Sequence, residues 1–475
     1  MMFTRSYARI TFLLILALLA LILPNLVRDS ETHIGEDPYF YSRISSMIEN
    51  DEADYDELSY SGRFFSYSLG QPSVFLFFRE FLPEYFIVEI IPIIFALISL
   101  ILFYLILKEI YVEPNVIYTS LIMLIISPPF IYIFTSHNKF TSITLILLLT
   151  FYLFIKKSRT LNVLSYILFF IIPFFGYQYS LLSLFLTLIY CIKEKNIKKF
   201  YVILIISLIS LGLIYTPSII KHGFSELTNF DKNLRYRSLF SDLGGNFGIS
   251  IFIIFLSFFG LNHLWKSKYK YLPIYLTLIL LIIFTFYIPS FVVYLNFLLA
   301  VLSSLGLIYL IRSKWESETI RKLTMWLLII GIVFSTATFI NQISLQKPNQ
   351  SLYNALVFLK SYDNAQDVAF SHYSYGILIN SLANKKNVMD SNFPYAPQIN
   401  ERHKDSETLF HTRNYNVALD IINKYNIKYI LITKEMKEGL VWEQEDEGLL
   451  FLLDSVNIYK KIYSNDEAEI WRIKK

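Results

Sequence analysis

Two adjacent carboxylates, Glu36 and Asp37, stand just past the first long apolar run, in the string Gly35-Glu36-Asp37-Pro38-Tyr39-Phe40-Tyr41-Ser42-Arg43. Acids beside a lipid surface are costly unless they face water, a metal or a reacting group, so they mark a candidate site, with a solvated helix-exit loop as the competing reading. Arg43, six residues on, reads either as a cation that snorkels to the interface or as a tether for Asp37 or a phosphate. Two further polar groups accompany them. Arg235-Tyr236-Arg237 offers paired guanidinium groups suited to bidentate phosphate contacts, or a solvated basic loop. Thr135-Ser136-His137-Asn138-Lys139-Phe140 offers His137 and Asn138 as polar helix-end residues or as contacts to a metal or substrate.

The elements that must position these residues follow from composition. With 55% hydrophobic and 17% charged residues, and a mean hydropathy of +0.47, the chain has more apolar surface than one soluble core of 475 residues hides. Lipid must solvate the excess. Apolar runs of spanning length predict eleven helices at 8–27, 85–107, 116–135, 141–155, 161–176, 177–192, 200–217, 247–264, 271–288, 290–311 and 323–341. The stretch 161–192 reads alternatively as one helix kinked near Pro173 and Gly176. Cys191 is the single cysteine, which excludes an intrachain disulfide and a cysteine zinc site.

Charge distribution sets the expected orientation. Arg5 and Arg9, Lys108, Lys156, Lys157 and Arg159, the Lys193–Lys199 group, Lys266–Lys270 and Arg312–Lys322 fall in alternate short loops, which places those loops in the cytoplasm. The opposite short loops contain only Lys139. An odd number of spans keeps this alternation, with the N-terminus inside and the C-terminus outside. The first run is read as retained rather than cleaved, because no small-x-small site follows it.

Three segments then lie on the outer face. The acid-rich loop 28–84 ends in an aromatic stretch that suggests helices lying along the interface. The loop 218–246 carries Arg235 and Arg237. The tail 342–475 has ordinary soluble composition and alternates strands near Asp367–Ser371 and Lys428–Thr433 with a helix near Ala418–Tyr425, closing in a hairpin around Ser464–Glu467. The expected architecture is a polytopic α-helical membrane protein with 1–341 as its multi-span unit and 342–475 as an extracytoplasmic α/β domain.

The helix exit followed by Asp37-Pro38-Tyr39-Phe40, an aromatic and Arg43 resembles the first outer loop of the GT-C superfamily of membrane glycosyltransferases, most of all that of oligosaccharyltransferase catalytic subunits. The run Ser127-Pro128-Pro129-Phe130 and a water-facing domain after the last helix extend the likeness. The resemblance implies sugar transfer from a polyprenyl-phosphate-linked donor to a glycan, lipid or protein acceptor on the outer face. It makes Asp37 the base, Glu36 either a supporting residue or a plain loop residue, and Arg43 a tether for Asp37 or the donor phosphate; Arg235, Arg237, His137 and Asn138 join as candidate substrate contacts on their own chemistry. Two departures limit it. Where that family has WWDYG, this chain reads Ser371-His372-Tyr373-Ser374-Tyr375-Gly376 and keeps only Tyr-Gly, which puts transfer of whole glycans to Asn-x-Ser/Thr acceptors in doubt. Between the third and fourth helices the family's second acidic motif, which holds a divalent metal, is absent, so a bound Mg or Mn has little support and no metal ligand is assigned.

No P-loop, dinucleotide fingerprint, HExxH or nucleophile elbow occurs, and the inner loops are too short for a nucleotide-sugar domain. A transporter or flippase would place its ionisable residues at mid-membrane on broken helices, whereas those here gather at the outer ends. A non-catalytic scaffold of a glycan-assembly pathway would need no acids at positions 36 and 37.

Overall fold

The computed structural model describes residues 2–52, 54–110, 113–156, 158–224, 239–245, 247–362, 366–444, 446–455 and 458–474. Helices dominate through Ser344, and each of the eleven expected apolar runs is helical, in one helix or two. Ala8–Val27, Phe86–Ile110, Ile197–His222, Pro289–Arg312 and Glu318–Ser344 are long and apolar enough to cross a membrane one by one. Others are shorter: Thr141–Ile155 has 15 residues, Ile251–Trp265 15 and Leu272–Tyr287 16. At 1.5 Å per residue these fall short of a hydrocarbon core of roughly 30 Å. The third expected span is a pair, Pro114–Ile125 and Pro128–Thr135, bent by 62°. Its cause is local. Pro128 and Pro129 lack N–H groups, and Ser127 before them is forced into an extended conformation. Ser127 Oγ donates to the Leu124 carbonyl at 2.6 Å and accepts from Asn296 Nδ2 at 2.7 Å, so a neighbouring helix takes up the polar groups the bend frees. The stretch 161–192 is two helices, parted by a tight turn over Ile172–Phe175.

Packing sorts the bundle into an inner and a lipid-facing set. The span Pro289–Arg312 is 83% buried over its apolar window and Glu318–Ser344 only 22%, which puts the first at the centre and the second on the rim. Backbones meet where side chains vanish. A Cβ on Gly260 would lie 2.0 Å from the Leu302 carbonyl oxygen, and one on Gly306 1.9 Å from that of Leu256, so the helices Ile251–Trp265 and Val292–Arg312 touch main chain to main chain. That contact replaces the hydrophobic drive that lipid does not supply.

After Ser344 the chain builds a five-stranded sheet. Numbering strands along the chain, β1 (Tyr55–Asp56) and β2 (Arg63–Phe64) form a small ladder in the loop 28–84, and β3 (Val368–Phe370), β4 (Lys386–Asn387), β5 (Ile427–Thr433), β6 (Tyr459–Ser464) and β7 (Ala468–Ile473) form the sheet in the order β4-β3-β5-β7-β6. β3 runs parallel to β4 and β5, and β7 antiparallel to β5 and β6. The β5 run Ile427-Lys428-Tyr429-Ile430-Leu431-Ile432-Thr433 is buried at all but one position, as expected of a central strand covered on both faces. Helices Gln350–Ser361, Ile399–His411 and Tyr415–Lys424 cover it. Tyr39 and Tyr60, from the loop 28–84, are buried in this same C-terminal core. That loop is therefore built into the α/β unit, and the site forms at the seam.

Candidate active site at the loop–sheet seam

Placement of the acids begins at Arg28. Its guanidinium donates to the carbonyls of Ser344 at 2.7 Å and Gln346 at 2.8 Å, and to Thr32 at 2.8 Å, locking the exit of the first helix to the chain that follows the last. Glu36 then precedes the helix Asp37–Glu49, whose first turn contains Asp37 and Pro38. Proline suits that turn because its missing N–H would be unpaired there anyway, and the helix N-terminus favours the Asp37 carboxylate. Asp37 Oδ2 accepts the backbone N–H of Lys139 at 3.3 Å. Glu36 Oε1 accepts from Ser391 Oγ at 3.2 Å. Three segments far apart in sequence, 34–38, 136–140 and 390–392, thus meet around two carboxyls that keep part of their surface open.

Enclosure shapes their acidity. Burial, followed by the charge of Asp37, pushes the Glu36 carboxyl up to about 8. Burial also raises Asp37, against the charge and backbone N–H of Lys139, which lower it. Glu36 is thereby the protonated member near neutral pH, a hydrogen-bond donor beside Asp37, the acid that the Lys139 charge and N–H favour in its charged form.

His137 and Asn138 build the wall rather than the surface of this site. His137 is fully buried, edge-on to the rings of Tyr41 and Phe75, with its Nε2 2.8 Å from the Gln71 amide nitrogen and its backbone N–H donating to the Val88 carbonyl at 3.0 Å. Burial pulls the imidazole down to about 3, so the ring is neutral. Asn138 caps the helix Pro128–Thr135, donating to the Tyr132 carbonyl at 2.8 Å while its Oδ1 accepts from the Phe140 N–H at 2.9 Å. Ser136 Oγ donates to the Ile34 carbonyl at 3.1 Å, one residue ahead of Gly35. Together they hold the loop that brings Lys139 to the acids.

Arg43 goes elsewhere. Its guanidinium forms a fork on Asp56, at 2.9 Å and 2.7 Å, and Asp56 also accepts from Tyr67 Oη at 2.6 Å and from the N–H groups of Leu58 and Ser59. It tethers Asp56, not Asp37. Six residues turn the helix by about 240°, which points Arg43 away from the Asp37 face. Arg235 and Arg237 lie outside the described residues. A polar cleft of about 610 Å³ opens on the far face of the same helix, against Tyr39, Ser42 and Ser46.

Three participants were not singled out from the sequence. Lys139 was visible only as the lone cation of the outer short loops. Ser391 and Asp390 carried no signal at all. Asp390 is buried, and accepts from Ser59 Oγ at 2.6 Å and the Asn392 N–H at 2.9 Å. The retained Tyr375-Gly376 lies close by in the fold. A Cβ on Gly376 would fall 2.2 Å from the Met389 carbonyl oxygen, so only glycine lets this turn pass the 389–391 segment. Tyr375 Oη donates to Glu435 at 2.7 Å, with Lys347 beside both.

A bundle of apolar helices whose loop 28–84 lays a carboxyl pair against a C-terminal α/β unit defines a class of multi-pass membrane protein. No family model and no curated protein sequence matches the chain. Solved structures do. The Archaeoglobus fulgidus oligosaccharyltransferase, tethered with an acceptor peptide containing the NVT sequon, superposes at a TM-score of 0.63 and 15% identity over 100% of this chain and 75% of its own. ArnT from Cupriavidus metallidurans, bound to undecaprenyl phosphate, gives 0.55 and 10% over 97% and 98%. The mycobacterial arabinofuranosyltransferase AftD gives 0.57 and 10% over 98% of this chain and 40% of its own. The chain has the fold of the GT-C membrane glycosyltransferases.

Proposed function

We propose that this protein transfers a sugar from a polyprenyl-phosphate-linked donor to an acceptor on the outer face of the membrane. The observation that carries the reading is the Glu36–Asp37 pair, held open at the seam of three segments with Asp37 hydrogen-bonded to the Lys139 backbone. The fold is shared with proteins solved with dolichol-phosphate or undecaprenyl phosphate, which supports a lipid-linked donor. In the step envisaged, the acceptor heteroatom attacks the anomeric carbon and its proton passes to Asp37. The anomeric C–O bond to phosphate breaks and its electron pair leaves with the phosphate oxygen. Glu36, protonated, donates a hydrogen bond to the sugar or phosphate. Loss of WWDYG favours a smaller sugar unit, or an acceptor other than the sequon.

The same proposal sets the loop 28–84 and the residues from 342 onward outside the cytoplasm, as a domain distinct from the spans of 1–341, and assigns Arg235 and Arg237 to the donor's anionic group. The test is transfer of radiolabelled sugar from polyprenyl-linked donors in washed membranes. Asp37→Asn should lose transfer at normal protein level, and transfer retained within a few-fold removes Asp37 as the base. Protease added to intact, wall-stripped cells should remove the C-terminal residues; digestion only after the membrane is opened reverses the orientation.

A further inference from the structure

The GT-C likeness raises a divalent cation, and the residues around Asp37 do not fit one. Among the described residues no group of three His, Cys, Asp or Glu side chains is placed to hold a metal. Small hard cations such as Mg²⁺ require several oxygen ligands in near-octahedral array. Two neighbouring carboxyls, one of them protonated near neutral pH, offer little of that. The next carboxyl, Asp390, has its oxygens taken by Ser59, Asn392, Asn387 and Asn380. Where a further acid would complete the set, the loop between the third and fourth expected spans presents Lys139.

Resting on the transferase reading, we propose that the Lys139 ammonium takes the place of a divalent cation in this site, neutralising the charge that develops on the departing lipid phosphate. Lys139 is exposed, makes no ion pair among the described residues, and extends past the Phe140 ring, its Nζ 5.3 Å from the centroid. Its charge reaches both acids. The loop beneath it is fixed on both sides. Ser136 Oγ grips the Ile34 carbonyl, the Lys139 N–H grips Asp37, and Asn138 and buried His137 hold the loop to the helix before it and to Val88. A cation on a rigid loop, one backbone bond from the base, is preorganised for a leaving phosphate and costs little reorganisation during reaction. The electron pair of the breaking C–O bond stays on the phosphate oxygen. Lys139 keeps its protons, and the acceptor's proton remains with Asp37.

Two measurements test this, one with turnover and one without. In washed membranes, sugar transfer by the wild type should persist in EDTA within about twofold. Lys139→Met should lower it by about 10²–10³-fold, the loss typical of removing one preorganised donor, and Lys139→Arg should restore much of it. Transfer that stops in EDTA and returns with Mg²⁺ or Mn²⁺, or that survives Lys139→Met, overturns the role of Lys139 and leaves the transferase reading standing. Separately, Mn²⁺ is titrated into purified protein and followed by its paramagnetic resonance. Wild type should leave the ion free and Lys139→Glu should gain a site that Asp37→Asn removes. If wild type transfers from no donor tried, the transferase reading fails, and the Mn²⁺ titration still decides the other half: a wild-type site abolished by Asp37→Asn overturns the proposal that Lys139 excludes a cation.

Discussion

The helix Asp37–Glu49 serves two acid sites of opposite character. From its middle Arg43 reaches Asp56 of β1, a buried and saturated acid: the carboxylate accepts a guanidinium fork, the Tyr67 hydroxyl and two backbone N–H groups. That stack of donors, Arg43 foremost, outweighs burial and pulls the Asp56 carboxyl down to about 2. At the start of the helix, Asp37 has one long backbone hydrogen bond and Glu36 one hydroxyl, and burial raises both. Acids on the two sites thus separate by how many donors they are given. A saturated acid has no lone pair left for chemistry, whereas an under-supplied one must find a proton, a cation or a substrate.

Function should break the comparison most sharply. Asp37→Asn keeps shape and packing but removes the base, and about 10²–10⁴-fold loss of transfer is expected with membrane levels unchanged. Asp56→Asn should do the reverse. It leaves the Arg43 charge buried without its partner, a change worth about 3–5 kcal/mol in comparable buried pairs. Lower yield and an earlier thermal transition in detergent are expected, while the protein that still folds keeps its turnover. Asp56→Asn with normal stability and no activity would exchange the roles assigned to the two acid sites.

Which of these pairs was readable from sequence depends on distance along the chain. The apolar helices were legible because a long apolar run beside lipid has one physical solution, and β5 because seven residues of strand-forming type stand between turn signals. The bend at Pro128-Pro129 was written in the residues too, although the expected single span hid it. Asp37 stood out because an acid before proline at a helix exit is rare beside lipid. Its partners did not. Lys139 is 102 residues away and Ser391 is 355 residues from Glu36, and such contacts exist only once the helices have packed and the C-terminal sheet has closed over the loop. Arg43 shows the converse error: six residues from Asp37, it looked like that acid's partner, but helical geometry turned it to Asp56, thirteen residues further along the chain. Proximity in sequence misleads on a helix unless the spacing is three or four.

The smallest expected effect, and the finest probe of the under-supplied end, belongs to Glu36. Its carboxyl is raised in the folded protein, from an ordinary 4.5 to about 8, so the folded state holds a proton that the unfolded chain releases. The resulting stability is fully present below about 4.5 and is lost as pH rises through about 8. Glu36→Gln resembles the protonated form and cannot ionise. Thermal transitions of purified wild type should therefore drift downward between pH 5 and 9 more steeply than those of Glu36→Gln, with the curves closest at the acid end. Near neutral pH the substitution should cost transfer only a few-fold, since the amide still donates a hydrogen bond where the acid did. Raising the pH past 8 should then slow the wild type, as a second negative charge beside Asp37 repels the phosphate of the donor, and leave Glu36→Gln unaffected. If the two proteins fall together above pH 8, the titrating group lies elsewhere, and Glu36 is a wall of the site and not part of its chemistry.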